Sequence, residues 1–148
     1  MRPVGTAAET IEQRKRDHLE PFRRGGVEAR GITAWFEHVH LVHSALPELG
    51  MEQIDLTTEF CGRRFAAPLF ITGMTGGTAE AGRINRELSS VAQTLGIGFG
   101  LGSGRAMLVD QGLVPTYQVR EAAPDVFLAW NLGGVQLPHT PVDRIRRA

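Results

Sequence analysis

Three short apolar runs in this 148-residue chain each end in small polar residues: Met74-Thr75-Gly76-Gly77, Gly102-Ser103-Gly104-Arg105 and Asn131-Leu132-Gly133-Gly134. Glycine lets backbone amides approach a ligand closely, and threonine and serine hydroxyls bond phosphate oxygens. The Arg105 guanidinium offers those oxygens a forked pair of donors. Met74 and Gly73 can lie flat against an aromatic ring, and the Asn131 amide can hydrogen-bond a planar heterocycle or cap a turn. The chemistry indicated is capture of an anionic, partly planar ligand. Each cluster alone is ordinary turn punctuation; the threefold recurrence at strand ends carries the argument, because parallel β/α sheets build their sites there.

The elements that must position these residues can be read from periodicity. The apolar run 68–73 is followed by helical spacing over 79–95 (Ile84, Leu88, Val91, Ala92, Leu95), and Gly96 closes that helix before a second run at 97–101. A shorter helix is expected over 115–123, then a third strand over 126–130, then a helix from 142. Phe70, Phe99 and Leu128 recur at the interval of one βαβ crossover, so the strands should lie parallel. Upstream, Thr6 and Glu9 form a capping box for a helix reaching His18 or Leu19, which Pro21 should stop. A glycine-rich, mobile connector follows. Trp35, Phe36, Val39, Leu41, Val42 and Leu46 form an extended segment expected to pack on the domain, and 54–58 and 64–67 form a hairpin turning at Cys61-Gly62-Arg63. One domain results: helix and connector (1–31), extended segment and hairpin (32–67), and β/α units (68–148).

Composition removes several function classes. Sixteen basic and sixteen acidic residues cancel, so no global field recruits nucleic acid or an acidic membrane surface, and any anion site must be local. No run of apolar residues reaches membrane-spanning length. A single cysteine, Cys61, excludes an internal disulfide and fits a cytoplasmic protein. Gly98, Gly100, Gly102 and Gly104 alternate strictly, which is not the G-x-G-x-x-G dinucleotide spacing, and Lys15, the sole lysine, has no phosphate-loop context. His38, His40 and His43 fit no familiar zinc spacing.

Five segments in order resemble one family. Arg14-Lys15-Arg16-Asp17-His18, Ile54-Asp55-Leu56-Thr57-Thr58, 70–77 (Phe-Ile-Thr-Gly-Met-Thr-Gly-Gly), Gly102-Ser103-Gly104-Arg105 and Ala129-Trp130-Asn131-Leu132-Gly133 together resemble the type 2, flavin-dependent isopentenyl-diphosphate isomerases. The resemblance runs from about Glu12 to Gly134. It implies an α/β fold, an incomplete (β/α)8 TIM barrel comprising the first three or so β/α units after an N-terminal helix and hairpin. It implies interconversion of isopentenyl diphosphate and dimethylallyl diphosphate with reduced FMN, Mg2+ and NADPH as reductant, in a homo-oligomer when full length.

By that resemblance Gly73, Met74, Thr75, Ser103 and Asn131 contact the cofactor, and Arg14, Lys15, Ser103, Gly104 and Arg105 contact the substrate. The catalytic residues and the magnesium ligands are expected beyond residue 148, so little or no turnover is expected from the chain alone. An FMN-dependent α-hydroxyacid oxidase-like oxidoreductase and a non-catalytic half-barrel interaction module are the alternatives.

Overall fold

The computed structural model of the protein describes residues 11–146. The first helix, α1, covers Ile11–Arg24, and the Thr6–Glu9 capping box lies outside the described residues. Pro21 sits inside α1 instead of ending it. A proline in the last turn removes one N–H and need not break the helix, which ends where Gly25 and Gly26 both adopt φ of 74°.

The segment that follows does not pack on the body as its apolar content predicts. It makes isolated 3-10 turns at Phe36–His38 and Met51–Gln53, while Leu41 and Val42 are 89% and 99% exposed. Residues 54–57 also stay outside the ribbon, because the Asp55 carboxylate accepts the Thr57 amide at 2.8 Å and sets a local turn. The hairpin itself forms from β1 (Thr58–Phe60) and β2 (Arg63–Phe65), antiparallel, with Thr58 opposite Phe65. Cys61 and Gly62 take φ of 50° and 71°, the left-handed pair that a two-residue turn needs to match ribbon twist.

Three parallel strands carry the remainder: β3 (Phe70–Ile71), β4 (Gly98–Gly100) and β5 (Leu128–Ala129), in the order β3-β4-β5. Phe70 lies opposite Gly98, and Phe99 opposite Leu128. Phe99, 1% exposed, centres a core with Ile97, Leu101, Met107, Val119 and Val126. Gly98 and Gly100 alternate with Phe99 and so share the other face, where a Cβ on Gly98 would lie 2.3 Å from the Phe70 ring. The alternating glycines are therefore a packing device.

Helix α2 (Ala79–Leu95) joins β3 to β4. The Thr78 hydroxyl caps it by accepting the Ala81 amide at 3.1 Å, and Gly96 ends it at φ 64°. Its buried face differs from the one its large apolar residues predict. Ala81, Gly82, Asn85, Ser89 and Ala92 face inward, while Leu88, Val91 and Leu95 are 39–56% exposed. Small residues let the helix come close: a Cβ on Gly82 would sit 3.0 Å from the Thr116 Cα. The helix expected over 115–123 is absent as well. Helix α3 (Arg105–Val109) comes earlier, followed by a 3-10 stretch at Gln111–Thr116. The Asp110 carboxylate accepts the Gly112 amide and starts that stretch, and Pro124 disfavours helix just before it. Arg120 holds the loop that results by donating to the Pro124 and Val126 carbonyls. The last element, α4, occupies Val142–Arg146.

The expectation of an incomplete TIM barrel is corrected here. The described residues form one open three-stranded sheet, with strands of two or three residues, and a separate two-stranded ribbon; they form no barrel wall.

Candidate functional site

Parallel strands bring their carboxyl ends to one edge, and at that edge three loops are bonded to one another. The Gly102 amide donates to the Thr75 carbonyl at 3.1 Å, and the Gly104 amide donates to the Asn131 carbonyl at 3.0 Å. Asn131 Nδ2 donates in turn to the Leu101 carbonyl at 3.1 Å. Close approach of this kind demands glycine. A Cβ on Gly102 would stand 2.5 Å from the Thr75 oxygen, and one on Gly104 would stand 1.8 Å from the Trp130 ring.

Helix α1 adds a cationic wall to this edge. Arg14, Lys15 and His18 line a cavity of about 160 Å3 with Ser103, Arg105 and Ala106. None of the six lining residues is acidic. The Lys15 stem runs beside Gly77, where a Cβ would lie 3.4 Å from Lys15 Cγ, and Gly77 itself has φ of 85°. Burial first, and the neighbouring Arg14 charge second, lower the Lys15 pKa from its ordinary value. Lys15 is partly buried while Arg14, His18 and Arg105 stay exposed; basic side chains gathered without a carboxylate among them favour an anion. The volume, well under the roughly 300–1,000 Å3 of typical ligand pockets, suits a phosphate-sized head group.

Each residue expected at the site can now be placed. Arg14, Lys15, Ser103 and Arg105 meet around the cavity, and Gly104, which does not line it, packs against Trp130. Gly73, Met74, Thr75 and Asn131 do not line it; they occupy the adjoining loops of the same edge, with Met74 44% exposed and Thr75 buried. The Thr75 hydroxyl oxygen and Trp130 Nε1 are buried without a hydrogen-bond partner. His38, His40 and His43 form no ligand set, since among the described residues no group of three His, Cys, Asp or Glu side chains could hold a metal.

Other contributors were not singled out from the sequence. His18 follows Arg14 by four positions and so shares its helix face, a spacing that was available to find it. Asn85, 2% exposed on an otherwise small and apolar helix face, donates to the Thr75 and Thr116 carbonyls at 3.3 and 3.1 Å. A larger groove of about 630 Å3, lined by Phe60, Phe65, Leu69, Phe70 and Phe127, lies beside the ribbon and the strand starts. Its walls are almost wholly apolar, so it cannot be the anion site.

Fold and cavity together define a parallel β/α unit with a cationic site at its strand ends. No family model matches the chain. It is 48% identical over 134 residues to the isopentenyl-diphosphate delta-isomerase of Thermococcus kodakarensis, covering 88% of this chain and 36% of that protein. It is 43% identical over 139 residues to the protein of that name in Synechococcus sp. (93% and 40% covered), and 45% identical over 125 residues to that in Rickettsia rickettsii (84% and 36% covered). The chain thus spans little more than a third of the length of these curated relatives. Their name specifies neither a type nor a flavin, so the resemblance to the type 2, FMN-dependent branch is corrected to similarity with isopentenyl-diphosphate delta-isomerases as named. No helix among the described residues is long and apolar enough to cross a membrane.

Proposed function

We propose that this chain supplies the diphosphate-binding part of an isopentenyl-diphosphate delta-isomerase, acting on isopentenyl and dimethylallyl diphosphate. The observation that carries the reading is the convergence of Arg14 and Lys15 from α1 with Ser103 and Arg105 from the β4 loop on one small cavity. Two guanidinium forks together with a lysine point charge match the oxygens of a diphosphate and offer nothing to an apolar tail. The names of the relatives supply the rest of the substrate.

The reaction relocates a double bond by adding a proton at one carbon and removing one from another, with no net oxidation. Much of the catalysis therefore lies in holding the alkene still. The cationic cavity anchors the charged end, and the five-carbon tail is left to extend along the strand-end loops. The Lys15 ammonium gains most from this arrangement, because a bound dianion restores the charge that burial disfavours.

Reduced FMN, primed by NADPH, is the cofactor we propose to test at the adjoining loops. Two features there suit a planar heterocycle: Asn131 spends Nδ2 on Leu101 and keeps Oδ1 as an acceptor, and Met74 is exposed; Gly73 packs against the Leu101 backbone, where a Cβ would lie 2.1 Å from the carbonyl oxygen. When bound, such a cofactor supplies acid and base function at the allylic carbons. Magnesium finds no ligand cluster among the described residues.

The test is direct. The purified chain is incubated with isopentenyl diphosphate, with and without FMN, NADPH and Mg2+, and dimethylallyl diphosphate is followed by NMR, while substrate binding is measured by calorimetry. Binding lost in Lys15→Ala and Arg105→Ala supports the reading. Binding untouched by both substitutions contradicts it.

A further inference from the structure

Tyr117 belongs to none of the three strand-end loops, yet it touches two of them. Its side chain is 4% exposed, and its hydroxyl donates to the Ser103 carbonyl at 2.9 Å. Its ring lies over Gly76, where a Cβ would stand 2.2 Å from Cε1. The neighbouring Thr116 hydroxyl accepts the Gly77 amide at 2.8 Å and donates to the Leu113 carbonyl at 2.7 Å, so it is fixed in both roles. Gly77 in turn carries the Lys15 stem, and Ser103 is two residues from Arg105.

We propose that Tyr117 is a positioning residue that sets the span between Lys15 and Arg105 across the cavity, holding one loop through its hydroxyl and the other through its ring. The inference rests on the diphosphate reading of that cavity and goes beyond it by assigning the separation of the two cations to a side chain outside the site. A part-buried carbonyl stripped of its donor carries a cost, so the Ser103 turn should loosen when the hydroxyl is removed. Burial also pushes the Tyr117 phenol up to about 12, which keeps it a donor throughout the working pH range.

Tyr117→Phe removes one oxygen and leaves the ring. Inorganic pyrophosphate is the probe, titrated into the intact chain. Tyr117→Phe is expected to weaken binding about fivefold, equivalent to roughly 1 kcal/mol for a typical hydrogen bond. It should do so again in an Arg14→Ala background, and add little in an Arg105→Ala background. Equal losses in both backgrounds would mark Tyr117 as merely structural, and no loss in the unmodified background would overturn the proposal. Amide hydrogen exchange without ligand separates this inference from the reading beneath it. The Gly104 and Arg105 amides should exchange faster in Tyr117→Phe, with α2 unchanged. Unchanged exchange at 104 and 105 overturns the clasp even if pyrophosphate binds. Pyrophosphate failing to bind the unmodified chain overturns the diphosphate reading while the exchange result still decides the clasp.

Discussion

Arg23 and Glu80, 57 residues apart in sequence, join their side chains between α1 and the first turn of α2. Leu19 is the one buried side chain of α1 among those described, and the Lys15 stem rests beside Gly77. The ion pair helps to orient the helix that presents Arg14 and Lys15. Both partners are substantially exposed, so its contribution is of the order of 0.2–1 kcal/mol. Arg23→Ala or Glu80→Gln should weaken pyrophosphate binding by about 1.4- to fivefold, and the double swap Arg23→Glu with Glu80→Arg should recover most of it. A calorimetric titration of the three variants checks this, and full affinity in both single variants would refute it.

Gly102 is enclosed by backbone, with a Cβ there falling 2.5 Å from the Thr75 oxygen and 2.6 Å from the Thr75 nitrogen. Backbone cannot swing aside as a flexible side chain can. Gly102→Ala should cost about 1–3 kcal/mol in urea unfolding, as overpacking generally does. A variant as stable as the parent would show that the two loops are not in contact.

Asn85 ties the Thr75 carbonyl to the Thr116 carbonyl from inside α2. Asn85→Leu removes a donor from the buried Thr75 carbonyl, which keeps the Gly102 amide, and from the part-buried Thr116 carbonyl, and should lower unfolding stability by about 1–3 kcal/mol. Exchange of the Gly77 amide should speed up in the same variant. Stability equal to the parent would contradict the role given to Asn85.

Lys15 has a lowered pKa in the ligand-free protein, so over the interval between that value and 10.5 the unfolded chain binds more protons than the folded one. Stability contributed through this group therefore rises as pH climbs through that interval, and is lowest below it. Binding behaves oppositely: diphosphate favours the charged ammonium, so affinity falls as pH rises through the same interval. Lys15→Met should remove both dependences, gain stability at neutral pH and lose the anion. Chemical denaturation and titration at several pH values check the two signs together.

Much of the local architecture could be read in the residues. Gly96 as the end of α2, the Cys61-Gly62 turn and the parallel strands around Phe70, Phe99 and Leu128 all follow from turn chemistry and periodicity. What failed did so for physical reasons. The apolar spacing of Ile84, Leu88, Val91, Ala92 and Leu95 located α2, but only Ala92 of the five is buried, because close packing against Thr116 requires small residues, and these carry a weak periodic signal. Trp35, Leu41 and Val42 look like core residues, yet apolar character alone does not say which surface a segment meets. At the site, Arg14, Lys15, Ser103 and Arg105 were visible as residue types, whereas Asn85, Thr116 and Tyr117 act through distances that no local pattern encodes.

The measurement that bears most directly on the central claim is a calorimetric titration of the intact chain with isopentenyl diphosphate, beside the alcohol that lacks the diphosphate. Saturable binding of the diphosphate alone, abolished in Lys15→Ala and strongly weakened in Arg105→Ala, is the expected result. Equal binding of the two compounds, or binding of the diphosphate unaffected by either substitution, would contradict the assignment of this cavity.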